Sequence, residues 1–124
     1  MKSDVPYLDE ILKAIALARE FTRGGRDEFE TSQLVQFATL RAPQVMAEST
    51  KRLSEERKRT HPDVPWRRIA DFRNVLVHEY ARVNVEQVWR VLEDEIPAPE
   101  RAVSAMRATP AMAPAPREPT RVDP

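Results

Sequence analysis

A chain of 124 residues with no cysteine and a formal net charge of zero excludes several classes of protein. The length suits one domain with a single core, and self-association would help so small a domain bury apolar surface. Without cysteine there is neither a disulfide framework nor a thiolate metal site, which fits a reducing cytoplasm. Apolar runs are too short for a signal peptide or a membrane span, so we expect a cytoplasmic protein without a membrane partner.

Positive charge is concentrated in one part of the chain. Residues 51–82 contain nine basic and five acidic side chains, against six and eight in residues 1–50 and five and seven in residues 83–124. Zero overall charge argues against a protein that coats nucleic acid generally, but phosphate binding needs only a local positive field. The same excess fits a solvated helix end, formed by Lys51, Arg52, Arg57, Lys58 and Arg59.

The first predicted helix begins near Asp4 and tolerates Pro6 in its first turn. It carries apolar side chains at helical spacing, with a further aromatic residue near its end: Leu8, Ile11, Leu12, Ile15 and Phe21. Gly24 and Gly25 end the helix, since glycine accepts a left-handed C-terminal cap at little cost.

A second predicted helix follows at once and is the longest in the chain. Asp27 and Glu30 have the spacing of a capping box at its start, and the helix reaches about Lys58. Pro43 should kink or split it, because proline removes a backbone hydrogen bond and clashes with the preceding turn. Its predicted apolar residues are Leu34, Phe37, Val45 and Leu53.

A rigid proline-containing connection, His61–Pro65, separates the second helix from a third that begins at Trp66. Asn84 and Gln87 have the spacing of a capping box that opens a fourth helix. Trp66 and Trp89, one near the start of each of these helices, are expected to anchor the core or an interface, with stacking on RNA bases as the alternative.

The remaining sequence completes an all-α prediction. Pro97 and Pro99 break the fourth helix, and a short last helix ends near Arg107. No β-alternation with hairpin turns is present, so we expect an up-and-down bundle of four to five helices in a domain spanning residues 1–107. Residues 108–124 are rich in proline and alanine and are predicted to form a disordered tail.

The most informative stretch is Arg-Asn-Val-Leu-Val-His-Glu-Tyr at residues 73–80, on the third predicted helix. With about 100° per residue, one broad face of that helix is polar and holds Arg73, Asn74, His78 and Tyr80. The opposite face is apolar and should be the core side; it holds Ile69, Phe72, Val75 and Leu76.

These residue types can cleave an RNA phosphodiester without a metal or cofactor. Histidine moves protons near neutral pH, and arginine holds a phosphate through a rigid fork of donors. Asn74 lies one turn from His78 and could fix the tautomer of its imidazole. The simpler alternative is an ordinary amphipathic helix whose solvent face carries Arg and His. His61 has no ligand-spaced carboxylates beside it, so a metal site is not expected.

The R-x4-H-x-Y pattern resembles the signature of the HEPN superfamily. Its longer form, Arg-Asn-x-Leu-x-His-Glu-Tyr preceded by Pro-Trp, resembles the HepT-like ribonuclease toxins of two-gene toxin–antitoxin modules. Further family landmarks match over roughly residues 4–107: Tyr7-Leu8, Asp27-Glu28-Phe29, Glu48, Val64–Ile69, Val88-Trp89 and Ile96-Pro97. The chain departs from the family where Ala47-Glu48-Ser49 replaces the usual Gly-Glu-Ala and where Pro43 interrupts that helix.

The resemblance implies a homodimer in which two R-x4-H motifs face each other across a shared groove, because one histidine cannot conveniently be acid and base in one step. Arg73 and His78 would be catalytic and Asn74 would orient the histidine. The RNA products would carry 2′,3′-cyclic phosphate and 5′-hydroxyl ends. Glu48 would lie near the site and could pair with Arg73, although a helix-surface glutamate is the simpler interpretation.

The resemblance also implies a partner. Antitoxins of HepT-like toxins resemble minimal nucleotidyltransferases, which can transfer AMP to the motif tyrosine, here Tyr80, and the pair can form a higher assembly. A phenol packed at the dimer seam is the alternative for Tyr80. For the whole chain, the alternatives are a non-catalytic HEPN module that binds a nucleotidyltransferase or a nucleotide, and a plain helical adaptor.

Overall fold

The computed structural model describes residues 4–72 and 84–108. The helices in these two ranges are α1 (Val5–Phe21), α2 (Gly25–Thr31), α3 (Gln33–Arg52), α4 (Glu55–Arg59), α5 (Trp66–Ala70), α6 (Val85–Arg90) and α7 (Pro97–Ala108). A π-helical segment, Val91–Glu95, lies between α6 and α7. No strand occurs in the two described ranges, and the all-α prediction is confirmed.

Helix α1 is the centre of the bundle because it packs against both α3 and α7. It begins after Asp4 with Pro6 in its first turn, as the sequence predicts. The described core is one main cluster of apolar side chains to which nearly every helix contributes. Its largest fully buried members are Leu8, Ile11, Ile15, Phe29, Met46, Ile69, Phe72, Ile96 and Met106.

The turn after α1 contains the left-handed glycine that the sequence predicts. Gly25 has a φ of 91°, a conformation that side chains with a Cβ rarely adopt. Phe21, however, is exposed at the end of α1 and does not belong to the buried stripe.

The predicted capping box at Asp27 and Glu30 is wrong. Helix α2 already begins at Gly25, without a side-chain cap, and Asp27 lies in its first turn. The Glu30 carboxylate accepts a hydrogen bond from Arg26 Nε at 2.7 Å instead. The long helix starts later, at Gln33, where the Ser32 hydroxyl accepts from the Val35 N–H at 3.1 Å.

The predicted second helix is therefore three helices. Helix α3 ends at Arg52, and Ser54 caps α4 by accepting from the Arg57 N–H at 3.1 Å. Pro43 does not split α3, which is continuous through it. Two residues predicted for its apolar face point to solvent instead: the exposed fractions are 80% for Leu34 and 55% for Phe37.

The third predicted helix begins at Trp66, as expected, but it is interrupted sooner than the sequence suggests. Helix α5 ends at Ala70, and Asp71 forms a turn before Phe72. Ile69 and Phe72 are both fully buried, which confirms the core side assigned to them. Val75 and Leu76, assigned to the same side, and the predicted tail beyond Ala108 lie outside the described residues.

A buried ion pair joins the beginning of α1 to α4. Arg57 Nε lies 3.2 Å from Asp4 Oδ2, and the two side chains are only 6% and 12% exposed. The same carboxylate oxygen accepts from the Ser54 N–H at 2.9 Å. Arg57 Nη1 also lies 3.5 Å from the Met106 carbonyl oxygen in α7, so one guanidinium contacts three parts of the fold.

We predict that Asp4→Ala lowers the free energy of unfolding by about 3 kcal/mol, because removing one partner leaves a buried charge without compensation. The matched control is Asp9→Ala, whose carboxylate pairs with Arg107 at 2.7 Å between side chains that are 53% and 43% exposed. Exposed pairs contribute less than about 1 kcal/mol. Urea unfolding at one protein concentration compares the two variants, and equal losses would contradict the structural role of the Asp4–Arg57 pair.

Candidate functional site

The predicted site residues Arg73, Asn74, His78 and Tyr80 lie outside the described residues, which end at Phe72 and resume at Asn84. The described residues therefore establish the two flanks of the motif and the surface beside it. Their assigned roles remain predictions from the sequence.

The N-terminal flank is anchored by aromatic and aliphatic side chains. The Trp66 indole N–H is shared between the carbonyl oxygens of Lys58 and His61, each at 3.1 Å, which fixes the start of α5 against the preceding turn. Ile69 and Phe72 insert into the main core. The Trp66 prediction is thus confirmed as an anchor, since the ring packs against the core while one part of it lines the surface.

A bidentate ion pair connects this flank to the π-helical segment. Arg68 Nε and Nη2 donate to the two oxygens of Glu95 at 2.7 and 2.8 Å. The hydrogen bonds from the Arg68 guanidinium to Glu95 raise its pKa, and the negative charges of Glu95 and Asp71 add to the effect. Two parallel bonds to one carboxylate fix the geometry more strictly than a single contact does.

The C-terminal flank begins at Asn84. Its side-chain oxygen accepts from the Gln87 N–H at 3.2 Å, which confirms Asn84 as the predicted N-cap of α6. Val88 is fully buried in the main core, and the Trp89 ring lies 5.2 Å from the Phe29 ring, centroid to centroid. Trp89 is therefore a packing residue, as the sequence predicts.

A groove of about 570 Å³ lies where the end of α3, α4 and α5 meet, immediately before the motif in the chain. We call it the basic groove, and its residues are Thr50, Lys51, Glu55, Lys58, Arg59, Pro62, Trp66, Arg67, Ala70 and Asp71. Four of these side chains are cationic and two are anionic, so the local positive excess counted along the sequence is partly gathered on one surface.

The five cations that the sequence grouped as one solvated helix end have different roles in the structure. Arg57 is buried against Asp4, and the Arg52 guanidinium carbon lies 5.9 Å from the centre of the Tyr7 ring. Lys58 Nζ contacts the Thr50 carbonyl oxygen and Glu55, each at 3.2 Å. Only Lys51 and Arg59 remain exposed in the basic groove without an ion pair to another described residue.

Arg67 completes the set of groove cations and was not singled out from the sequence. It is exposed on α5 and makes no ion pair within residues 4–72 or 84–108. Its position directly after Trp66, whose ring also lines the groove, was the available signal.

Two other predicted features lie on the described surface. Glu48 is exposed on α3 and lines a polar pocket of about 490 Å³ together with Glu10 and Arg41. His61 lies in the turn before α5. Within the described ranges, no three His, Cys, Asp or Glu side chains are grouped so that they could hold a metal ion. No described helix has the length and apolar character needed to cross a membrane.

Comparison with known proteins identifies the family. The sequence profile of the family described as Ribonuclease HepT-like matches residues 11–106, which include both flanks and the whole R-x4-H-x-Y motif. The chain belongs to the HepT-like ribonuclease family. The resemblance seen in the motif is therefore confirmed at the level of family.

Relatives of this HepT-like protein bear related names. A probable ribonuclease HepT from Thermococcus cleftensis is 37% identical over 98 residues, which cover 78% of this chain and 89% of the relative. A protein from Caldanaerobacter subterraneus, named as a proposed RNase, is 34% identical over 104 residues, covering 83% and 93%.

A third relative is longer. The Methanocaldococcus jannaschii protein whose name combines a gamma-glutamylcyclotransferase with a proposed RNase is 33% identical over 99 residues, and the match covers 78% of this chain but only 45% of the relative. No solved structure matches the chain.

We predict that Glu95→Gln lowers the free energy of unfolding by about 1 kcal/mol, because it removes the charge from a partly buried bidentate pair with Arg68. Glu93→Gln is the matched control, since Glu93 is exposed in the same π-helical segment and pairs with no described residue. Thermal unfolding of both variants measures the difference. If Arg68→Gln and Glu95→Gln were strictly additive in the double variant, the two side chains would not be coupled.

Proposed function

We propose that this chain is a metal-independent endoribonuclease that cleaves single-stranded RNA through Arg73 and His78. The observation that carries the proposal is the family match, because residues 11–106 belong to a ribonuclease family and contain an intact R-x4-H-x-Y motif. A histidine and an arginine at this spacing supply the proton transfer and charge stabilisation that phosphodiester cleavage requires.

In the proposed reaction, His78 removes the proton from a ribose 2′-hydroxyl, and the 2′-oxygen forms a bond to the adjacent phosphorus. The bond from phosphorus to the 5′-oxygen breaks, and that oxygen leaves with a proton. The products are a 2′,3′-cyclic phosphate and a 5′-hydroxyl. Arg73 stabilises the negative charge that develops on the non-bridging oxygens, which preorganised donors do best where water is partly excluded. Asn74 orients the imidazole of His78.

The reaction needs a base and an acid on opposite sides of the phosphorus, and one histidine does not easily supply both in one step. We therefore propose a homodimer in which the motifs of two copies form one site, one His78 accepting the proton and the other donating it. In a domain of 124 residues, dimerisation would also bury apolar surface that a single copy leaves in water.

The proposed biological role is that of a toxin in a two-gene toxin–antitoxin system in the cytoplasm. Its partner would be a minimal nucleotidyltransferase that transfers AMP from ATP to the Tyr80 hydroxyl, with release of pyrophosphate. The adduct carries a phosphate diester and a nucleoside, so it would occupy the phosphate site of Arg73 by charge and by size. Tyr80 is then a regulatory residue, and the chemistry of cleavage does not require it.

We predict that His78→Ala lowers the cleavage rate by about 10²- to 10⁴-fold, the usual contribution of a positioned proton-transfer group. The measurement is cleavage of unstructured RNA by the purified, unmodified protein in EDTA, with analysis of the product ends. His61→Ala is the matched control, because His61 is the other histidine of the chain and lies in the turn before α5.

Two results would contradict this mechanism. Equal activity of the wild type and His78→Ala would show that His78 is not a catalytic residue. If an unmodified wild-type dimer cleaved none of a broad set of RNAs, the chain would be a HEPN module that binds without cutting.

We predict that Tyr80→Phe retains cleavage within about twofold but no longer accepts AMP from the partner nucleotidyltransferase, since it lacks only the acceptor hydroxyl. Mass spectrometry after incubation with the partner and ATP detects the adduct. Tyr7→Phe is the matched control, because Tyr7 is the other tyrosine of the chain and packs partly buried in the bundle. Modification of Tyr80→Phe at wild-type level would place the acceptor elsewhere.

A further inference from the structure

We infer that the basic groove binds the phosphate backbone of a single RNA strand beside the cleavage motif, through Lys51, Arg59 and Arg67. The inference rests on the proposed ribonuclease function and extends it by naming where the substrate lies outside the reacting phosphate. The first argument is position. The groove ends at Asp71, which precedes Arg73 by two residues, and two peptide units span no more than about 8 Å.

The second argument is the state of the cations. Most arginines of the described bundle are engaged by carboxylates, as in the pairs Arg19–Glu100, Arg23–Glu20, Arg68–Glu95 and Arg107–Asp9. Lys51, Arg59 and Arg67 are exposed and have no such partner in the described part of the chain. Their charges are therefore free for phosphate oxygens, without the cost of first breaking an ion pair.

The two anions in the groove do not cancel this charge. Glu55 pairs with Lys58 at 3.2 Å, so these two side chains neutralise each other. Asp71 raises the pKa of Arg68, an arginine that is not part of the groove lining. Three cations thus face the groove against one carboxylate whose field also acts on a fourth cation.

The third argument is the shape and the apolar part of the lining. Single-stranded RNA is bound by grooves that combine positive charge along the backbone with aromatic faces on which bases stack. Trp66 is half-buried and lines the groove, and its indole N–H is already used by the Lys58 and His61 carbonyls. A ring held at its edge in this way can still offer its face. An acidic protein surface would use the cations but would not need the ring.

The test measures binding separately from cleavage by using the His78→Ala background. The groove variant adds Arg59→Gln and Arg67→Gln, and the matched control adds Lys13→Gln and Arg101→Gln. The control removes the same charge from two exposed cations that lie outside the groove and pair with no described residue. The probe is an unstructured, labelled RNA of about 12 nucleotides, within the size range that such grooves bind. Its affinity is measured over a series of salt concentrations.

Each phosphate contact to a single strand contributes about 0.7 to the slope of log affinity against log salt, so the groove variant should lose about 1.4 from that slope. If the affinities converge near 1 M salt, this equals a weakening of about 25-fold at 0.1 M. The control should retain both slope and affinity. Circular dichroism of each variant shows whether it is folded, and Lys51→Gln alone should lower the slope by about half as much.

Equal slopes in the groove and control variants would overturn the inference. So would normal RNA binding by a groove variant that no longer binds the nucleotidyltransferase, since the groove would then be a protein interface. The proposed function is tested independently by wild-type cleavage. A protein that cuts RNA but binds it equally well without Arg59 and Arg67 remains a ribonuclease. A protein that does not cut, yet needs both arginines to bind, keeps the groove and loses the catalytic role.

Discussion

The Arg57 guanidinium, almost wholly enclosed, determines how the short helix α4 sits on the bundle. Asp4 at the start of α1 and the Met106 carbonyl oxygen in α7 lie on either side of it, so distant parts of the sequence meet at this one side chain. Because α4 has barely more than one turn, it has little helical stability of its own. With Arg57 directed inward, Lys58 and Arg59 are left to line the basic groove. The buried pair therefore stabilises the fold and orients the groove at once.

A second consequence of this arrangement is that the motif is held between two well-packed flanks. Phe72 and Val88 are both fully buried in the main core, on either side of residues 73–83. The Arg68–Glu95 pair connects the same two flanks through side chains at the surface. Catalytic groups need support of this kind, since a displacement of about 1 Å in a reacting group can cost about 100-fold in rate.

The features that could be predicted from the sequence are those determined by local chemistry. Asn84 caps α6 and Trp66 begins α5 because an Asx side chain and a residue after proline favour those positions in isolation. Asp27 and Ser32 are both plausible caps by the same rule, and only packing decides between them. Pro43 shows the limit in another way: it lies buried within continuous α3, four residues after Thr39, whose buried hydroxyl has no described partner.

The basic groove could not be predicted for a related reason. Charge counting gives Arg57 and Arg59 equal weight, yet one is buried in an ion pair and the other faces solvent. Lys51 and Arg67 come from different helices and share a surface only after folding. The motif residues were found because their chemistry is written in one short stretch, whereas the groove is assembled from three elements.

The π-helical segment Val91–Glu95 gives the last part of the chain a defined rotation about its axis. The Ile96 N–H bonds to the Val91 carbonyl oxygen at 3.0 Å, five residues back, so this turn holds one residue more than an α-helical turn. Removing one residue here would restore the α-helical spacing but turn everything after it by about 100°. Ile96 would leave the core, and α7 would present a different face to α1. The bundle therefore tolerates changes in residue type along this segment far better than a change in its length.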